Sequence, residues 1–217
     1  MLKFSILFAT SRKAVIEVED FGVWETTKPY EIWLDGEKVL ESQKAVETVT
    51  GLKPDTVYRA QIRTADDQSE EVELKTRYES VTLNVKRFNA MGDGVHDDTA
   101  AIQAAIMACP KDGRVYLPKG VYRVTSLFLK SDLCIDLDDE AVLSGSVIRE
   151  DIPVLPGMIQ SQDETFDYNL GTWEGNPLDC FASLFTGIHV SNVVITGGGV
   201  LDGNASEENW WEDDRAK

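Results

Sequence analysis

Residues Phe88-Asn-Ala-Met-Gly-Asp-Gly-Val-His-Asp-Asp-Thr-Ala-Ala-Ile-Gln-Ala-Ala-Ile106 place a glycine turn, an acidic helix cap and a short amphipathic helix in immediate succession. Gly92-Asp-Gly94 demands residues tolerant of positive φ. Asp97 or Asp98 is suited to accept from the free N–H groups that open a helix. Ile102, Ala105, Ile106 and Cys109 recur at three- and four-residue spacing, which makes one apolar stripe, and Pro110 and Gly113 end it. The helix is followed by short strands with no helical period between them. Its natural place is over the open end of a β-stack, where it shields an edge that would otherwise recruit other chains.

The text on either side of the helix is made of strands. Leu83–Phe88 precedes the glycine turn. Val115–Leu117, Val121–Val124, Leu127–Leu129, Leu133–Leu137 and Ala141–Leu143 follow the helix, separated by a few Gly, Pro, Ser or Asp residues. Short strands at this spacing without hairpin alternation suit the turns of a parallel β-helix. An internal echo agrees. Ser131-Asp-Leu-Cys-Ile-Asp136 and Glu140-Ala-Val-Leu-Ser-Gly-Ser146 resemble Ser191-Asn-Val-Val-Ile-Thr196 and Gly197-Gly-Gly-Val-Leu-Asp-Gly-Asn204. At roughly 20–30 residues per turn, the two copies are expected two turns apart. Between them Val147 to Cys180 forms a long excursion with little periodic order, and loops of that length are commonly functional.

Residues 1–77 have a different grammar. Phe4–Ala9 and Ala14–Glu19 read as strands. Tyr30, Ile32 and Leu34 alternate with polar neighbours and run into Asp35-Gly36, a hairpin signal. Tyr58, Ala60 and Ile62 face one way, Arg59, Gln61 and Arg63 the other, and Val72 and Leu74 supply a last short strand. This is the pattern of a β-sandwich. Trp24 and Trp33 are its candidates for a sugar-stacking surface, and equally for core or packing residues.

The formal net charge of −17 excludes a nucleic-acid partner, because phosphate binding needs a Lys/Arg face. It also means that a polyanionic substrate has no long-range attraction to the chain and needs local basic groups. No apolar run is long enough to span a bilayer, and Met1–Ala9 lacks a small-x-small cleavage site, so no membrane partner is expected. Cys109, Cys134 and Cys180 are odd in number and widely spaced. They read as free thiols in a reducing compartment rather than as a disulfide frame or a zinc site, and the expected location is the cytoplasm. Asp97-Asp98, Asp138-Asp139-Glu140, Glu207-Glu208 and Glu212-Asp213-Asp214 are read as capping or solvated turn residues; no cofactor or metal is expected.

Two resemblances follow. Leu52-x-Pro-x-Thr-x-Tyr58 resembles the tyrosine corner of fibronectin type III domains. Phe88-Asn-Ala-x-Gly-Asp-Gly-x-x-Asp-Asp-Thr-x-Ala-Ile-Gln-x-Ala-Ile106, Val115-Tyr-Leu-Pro-x-Gly-x-Tyr122, Trp173-Glu-Gly175, Asn192-Val-Val-Ile-Thr-Gly-x-Gly-x-Leu-Asp-Gly203 and Trp210-Trp211, in that order, resemble the N-terminal part of glycoside hydrolase family 28, the polygalacturonase family. The resemblance implies an all-β chain. A fibronectin type III-like sandwich over 1–77 would precede the start of a right-handed parallel β-helix over 84–217 with a short capping helix. It implies hydrolysis of α-1,4-galacturonosidic bonds in pectic polysaccharide or oligogalacturonides, by inversion and by exo action. Trp173 stands out as a ring to stack on a sugar, with Glu174 beside it; the other reading is that Trp173 anchors the loop. The family's catalytic signatures are Asn-x-Asp, Asp-Asp, Gly-His-Gly and Arg-x-Lys, and they are expected beyond Lys217. Asp97-Asp98 lies in the capping segment instead. His96 is read as a turn residue and His189 as a strand residue. The competing readings are a non-catalytic carbohydrate-binding or adhesion protein on the same fold, and a pectate lyase.

Overall fold

The computed structural model describes residues 2–20, 22–159 and 168–211. The chain is nearly all β and divides into two compact units, residues 1–79 and 80–217.

In the first unit, β1 (Phe4–Ala9), β2 (Ala14–Val18), β3 (Glu25–Leu34), β4 (Glu37–Lys44), β5 (Val46–Val49), β6 (Val57–Arg63) and β7 (Val72–Lys75) form two antiparallel sheets. Their orders are β1-β2-β5 and β4-β3-β6-β7. Alternation decides which side chains are inside. Ile16, Val18, Tyr30, Ile32, Ala60, Ile62 and Leu74 from the two sheets close on one buried core. The hydroxyl of Tyr58 accepts from the Lys53 N–H at 2.8 Å, so the ring is tied to backbone upstream of its own strand. At the unit's last residue, Glu79 takes the Arg12 guanidinium (2.9 Å) and the Ser11 hydroxyl (2.5 Å).

The second unit is a coil. Its strands are β8 (Thr82–Asn84), β9 (Asp93–Asp97), β10 (Arg114–Leu117), β11 (Gly120–Val124), β12 (Leu127–Phe128), β13 (Leu133–Leu137), β14 (Ala141–Gly145), β21 (Phe185–Thr186), β22 (Val193–Gly197) and β23 (Val200–Asp202). Every pairing among them is parallel. One sheet runs β8-β10-β13-β22, a second runs β9-β11-β14-β23, and β12 pairs β21. Each turn therefore lays one strand on each sheet. Inward residues stack in register from rung to rung: Leu83, Val115, Ile135 and Ile195 on one sheet, Tyr122, Leu143 and Leu201 on the other. Val115, Ile135 and Leu143 are almost wholly buried, each worth about 1.5–3 kcal/mol. Ile195 and Leu201, on the last described rung, are 37% and 48% exposed because a described neighbour covers them on one side only.

Helix α1 (Thr99–Ala108) closes the other end. Ile102, Ala105, Ile106 and the following Cys109 enter the same buried cluster as Val85, Val115 and Leu117. Gln103 clamps it to β12, donating to the Phe128 carbonyl (2.9 Å) and accepting from the Phe128 N–H (2.8 Å).

Several sequence expectations change here. Leu83–Phe88 is not one strand. It leaves the sheet at Asn84, whose side chain accepts from the Lys86 N–H and opens a 3-10 turn over Val85–Phe88. The segment after Gly92 is a strand, so His96 lies in β9, its Nδ1 2.7 Å from Asp93. His189 is a left-handed turn residue at φ 52°, not a strand residue. The internal echo spans one turn, not two. Val115 lies opposite Ile135, and Ile135 opposite Ile195, so one turn takes 20 residues and the next 60. The surplus is the excursion, inserted within a single turn. At the seam the backbones touch: Gly197 has φ 122°, and a Cβ there would stand 1.9 Å from the Leu137 carbonyl oxygen of the rung before. That contact explains the glycine run at 197–199.

Candidate carbohydrate site

The paired aspartates Asp97 and Asp98 are expected to cap the helix, and the geometry gives them two different partners. Asp98 occupies the helix cap position but does not cap. Its carboxylate turns back and accepts from the N–H groups of Met91 (2.5 Å) and Gly92 (2.9 Å), and the residue is 1% exposed. Asp97 does the capping work, accepting from the N–H (2.9 Å) and hydroxyl (2.5 Å) of Thr99. The Thr99 hydroxyl in turn accepts from the Thr125 N–H at the end of β11. The two carboxylates serve separate turns: both oxygens of Asp98 are buried on backbone N–H groups, while Asp97 uses one oxygen on Thr99 and stays exposed.

The excursion is more ordered than its sequence suggests. Three short antiparallel ribbons branch from the coil: β15 (Val154–Leu155) with β20 (Cys180–Phe181), β16 (Met158–Ile159) with β17 (Tyr168–Asn169), and β18 (Thr172–Trp173) with β19 (Asn176–Pro177). Two-residue strands have no detectable period, which is why alternation did not reveal them. The last ribbon turns through Glu174 (φ 49°) and Gly175 (φ 83°), the paired left-handed geometry of a two-residue hairpin. This turn holds Trp173 and Glu174 at the surface. Trp173 is 69% exposed, so it does not anchor the loop among the described residues. An exposed indole beside a carboxylate can stack on the C–H face of a sugar and accept from its hydroxyls. Glu174 would repel a uronate carboxylate.

At the base of the excursion the Arg149 guanidinium stands 5.0 Å above the ring of Trp210 and donates to the Asn209 carbonyl (3.2 Å). Phe181 meets Trp210 edge-on with centroids 5.7 Å apart. Asn209 and Asn204 fix this turn: Asn209 donates to the Asn204 carbonyl, and Asn204 to the Ser144 hydroxyl and the Gly145 carbonyl on the previous rung. Arg149 is the sole Lys or Arg from Val147 to Trp211. The sequence reading missed this cluster because its members are scattered along the excursion and the rung that follows it, with Arg149 and Asn209 60 residues apart.

In the first unit Trp24 is 84% exposed, while Trp33 is covered by Arg63 at 4.0 Å and donates to Glu31. Cys109 is buried and Cys134 and Cys180 are half-buried, and none of the three is in a disulfide. No group of three or more potential metal ligands forms among the described residues, and no helix among them is long and apolar enough to cross a membrane.

Comparison with known proteins fits this geometry. Residues 82–151 match the family model described as rhamnogalacturonase A/epimerase, pectate lyase-like. The chain is 30% identical over 173 residues to an exo-poly-alpha-D-galacturonosidase of Dickeya chrysanthemi, covering 72% of this chain and 26% of that protein. A shorter stretch of 65 residues, 29% of the chain and 7% of its relative, is 52% identical to the mannuronan C5-epimerase AlgE6 of Azotobacter vinelandii. Among solved structures, the family 28 exopolygalacturonase of Yersinia enterocolitica superposes with a TM-score of 0.65 at 27% identity, over 94% of this chain and 41% of that one. The chain thus spans about a quarter to two fifths of the length of these galacturonan-degrading relatives. The chain resembles the polygalacturonase-like proteins of glycoside hydrolase family 28 in sequence and in fold, and residues 82–151 match the pectate lyase-like model.

Proposed function

We propose that this chain is the opening section of a polygalacturonase-like hydrolase that acts by inversion and exo attack on α-1,4-galacturonosidic bonds. In this reading the second unit starts a right-handed parallel β-helix and the first is a fibronectin type III-like sandwich. The observation that carries the proposal is the superposition on the family 28 exopolygalacturonase along 94% of the chain, through both units. The tied Tyr58 hydroxyl supports the reading of the first unit.

Inverting hydrolysis needs a carboxylic acid and a carboxylate about 6.5–9.5 Å apart, with water between them. Asp98 is buried with both oxygens on backbone N–H groups, and Asp97 caps the helix through Thr99, so this reading gives neither of them a catalytic role. Asn-x-Asp and Gly-His-Gly do not occur in the sequence; Arg215-Ala-Lys217 fits Arg-x-Lys by letter and lies outside the described residues. The role proposed for residues 80–211 is therefore to build and close the coil and to present Trp173 to a sugar ring, with Glu174 accepting from hydroxyls on the side away from the uronate carboxylate.

Purified protein incubated with polygalacturonate tests this directly. The expected result is no release of reducing ends by the chain alone. Hydrolysis would place the reacting carboxylates within these residues and overturn the assignment. An unsaturated, ultraviolet-absorbing product dependent on calcium would make it a lyase instead. Saturable binding of oligogalacturonides without turnover, combined with failure to support hydrolysis in a hybrid enzyme, would favour the carbohydrate-binding reading. The exposed Trp173 is the observation behind that alternative.

A further inference from the structure

A cleft of about 470 Å³ opens where the ribbons of the excursion rejoin the coil. Its walls come from β15, β17, β20 and β21 and from the turn that follows, and they include Asn169, Phe181, Ser183, Phe185, Thr186 and His189. The volume lies within the ~300–1,000 Å³ range of small-molecule clefts and leaves room for a single sugar residue. Among the described residues that line it, none is Lys, Arg, Asp or Glu, although the chain carries a net charge of −17. The wall is neither a hydrophobic pocket nor an ionic one.

The polar groups in it are unequally occupied. Thr186 is buried, and its hydroxyl donates to the Ser183 carbonyl (3.2 Å), which also accepts from Ser126 (2.7 Å). The side-chain amide of Asn169 and the hydroxyl of Ser183 make no hydrogen bond to any described residue. An amide offers two donors and an acceptor, and a hydroxyl offers one donor and an acceptor. Phe181 and Phe185 add aromatic surface beside them. Hydroxyl-matching groups next to phenyl rings, with no fixed charge, suit a ring that has polar edges and C–H faces. A carboxylate gains little from such a wall, since it meets no Lys or Arg among the described residues there.

We infer that this cleft is a recognition site for one neutral sugar residue. Hydroxyls of the ligand are bound by Asn169 and Ser183, and a C–H face lies on Phe181. The inference does not rest on the polygalacturonase reading, because that reading concerns charged galacturonate and this cleft selects for hydroxyls.

Galactose and galacturonate share their ring hydroxyl arrangement and differ in the carboxylate, so the pair isolates the point at issue. Each is titrated into the full chain at neutral pH and followed by ligand-detected NMR and by tryptophan emission. The expected result is saturable galactose binding, with galacturonate binding no more tightly. Asn169→Ala and Ser183→Ala each weaken it by about fivefold, the loss of one hydrogen bond. Because Phe181 packs on Trp210, the emission change is expected to disappear in Trp210→Phe while binding by NMR persists. Absence of saturable galactose binding by the folded protein overturns the inference. So does a preference for galacturonate of tenfold or more, and so does unchanged affinity in both the Asn169 and Ser183 variants.

Discussion

The coil and the excursion of the second unit are joined in one chain and are held by opposite means. In the coil, each rung is worth little alone. Its stability comes from stacking: Val115 on Ile135, Tyr122 on Leu143, α1 over the end. In the excursion, strands of two residues are set by turn geometry, and large side chains such as Val154, Trp173 and Leu178 remain exposed. Burial concentrates where the chain repeats, and exposed side chains collect where it departs from the repeat. The contrast teaches that the long 60-residue turn is not a defect in the coil. It is the place where the chain spends residues on a surface rather than on a core.

The comparison can be broken by mutation, and the largest effect is expected in the stack. Ile135→Ala should cost about 2–5 kcal/mol, read from denaturant unfolding, because the site is enclosed by rungs on both sides. Val154→Ala, in the excursion and 58% exposed, should stay within about 0.5 kcal/mol. Equal costs at the two sites would deny the distinction. Next comes Asp98→Ala, which strands two backbone N–H groups under the helix cap and should cost about 3 kcal/mol. An effect under 1 kcal/mol would show the clasp to be incidental. In the first unit, Tyr58→Phe removes one backbone tie and should cost about 1 kcal/mol, leaving the unfolding of the second unit unchanged.

A smaller effect is expected at alkaline pH. Tyr116 donates to Asp138 at 2.7 Å and is partly desolvated, and together these push its pKa up to about 12. Tyr122, desolvated by burial and close to Asp98, is likewise pushed up to about 12. A phenol whose folded pKa is raised adds stability that is fully present below its ordinary value of 10. That stability is lost as pH rises through 12. An ultraviolet titration should therefore show two tyrosines ionising last, one of which vanishes in Tyr116→Phe. Ionisation of Tyr116 near 10 would contradict the hydrogen bond. The smallest effect on stability, within about 0.5 kcal/mol, is expected for Trp173→Ala. Its loss should appear in oligosaccharide binding instead, and unchanged binding would remove Trp173 from the site.

How much of this was legible in the sequence follows from the same contrast. The repeat was legible, because an apolar stripe and strand periods survive in one-dimensional text. The helix over residues 99–108, the strand Leu133–Leu137 and the echo at 191–204 were readable in that way. The spacing of the echo was misjudged, since sequence distance does not show that 40 residues had been inserted inside one turn. The role of Asp98 was also hidden. A cap residue and a residue that folds back onto Met91 and Gly92 have the same local sequence, and only burial separates them. His96 and His189 exchanged roles for a similar reason: β9 is a short strand held by a neighbouring rung, and His189 is set by backbone conformation rather than by composition. Trp210 stood in the sequence as a motif residue, but nothing there joined it to Arg149 and Phe181, because the cluster is assembled across the inserted turn.

The most direct test of the account places residues 80–211 of this chain into a family 28 exopolygalacturonase in place of the coils they superpose on. Release of galacturonate from oligogalacturonides is then measured beside the parent enzyme. The account predicts a folded hybrid that retains hydrolysis within about tenfold of the parent, since this section supplies the closed coil and a sugar-facing surface rather than the reacting carboxylates. A hybrid that is monodisperse and shows native β-sheet content, yet releases no galacturonate, would contradict it.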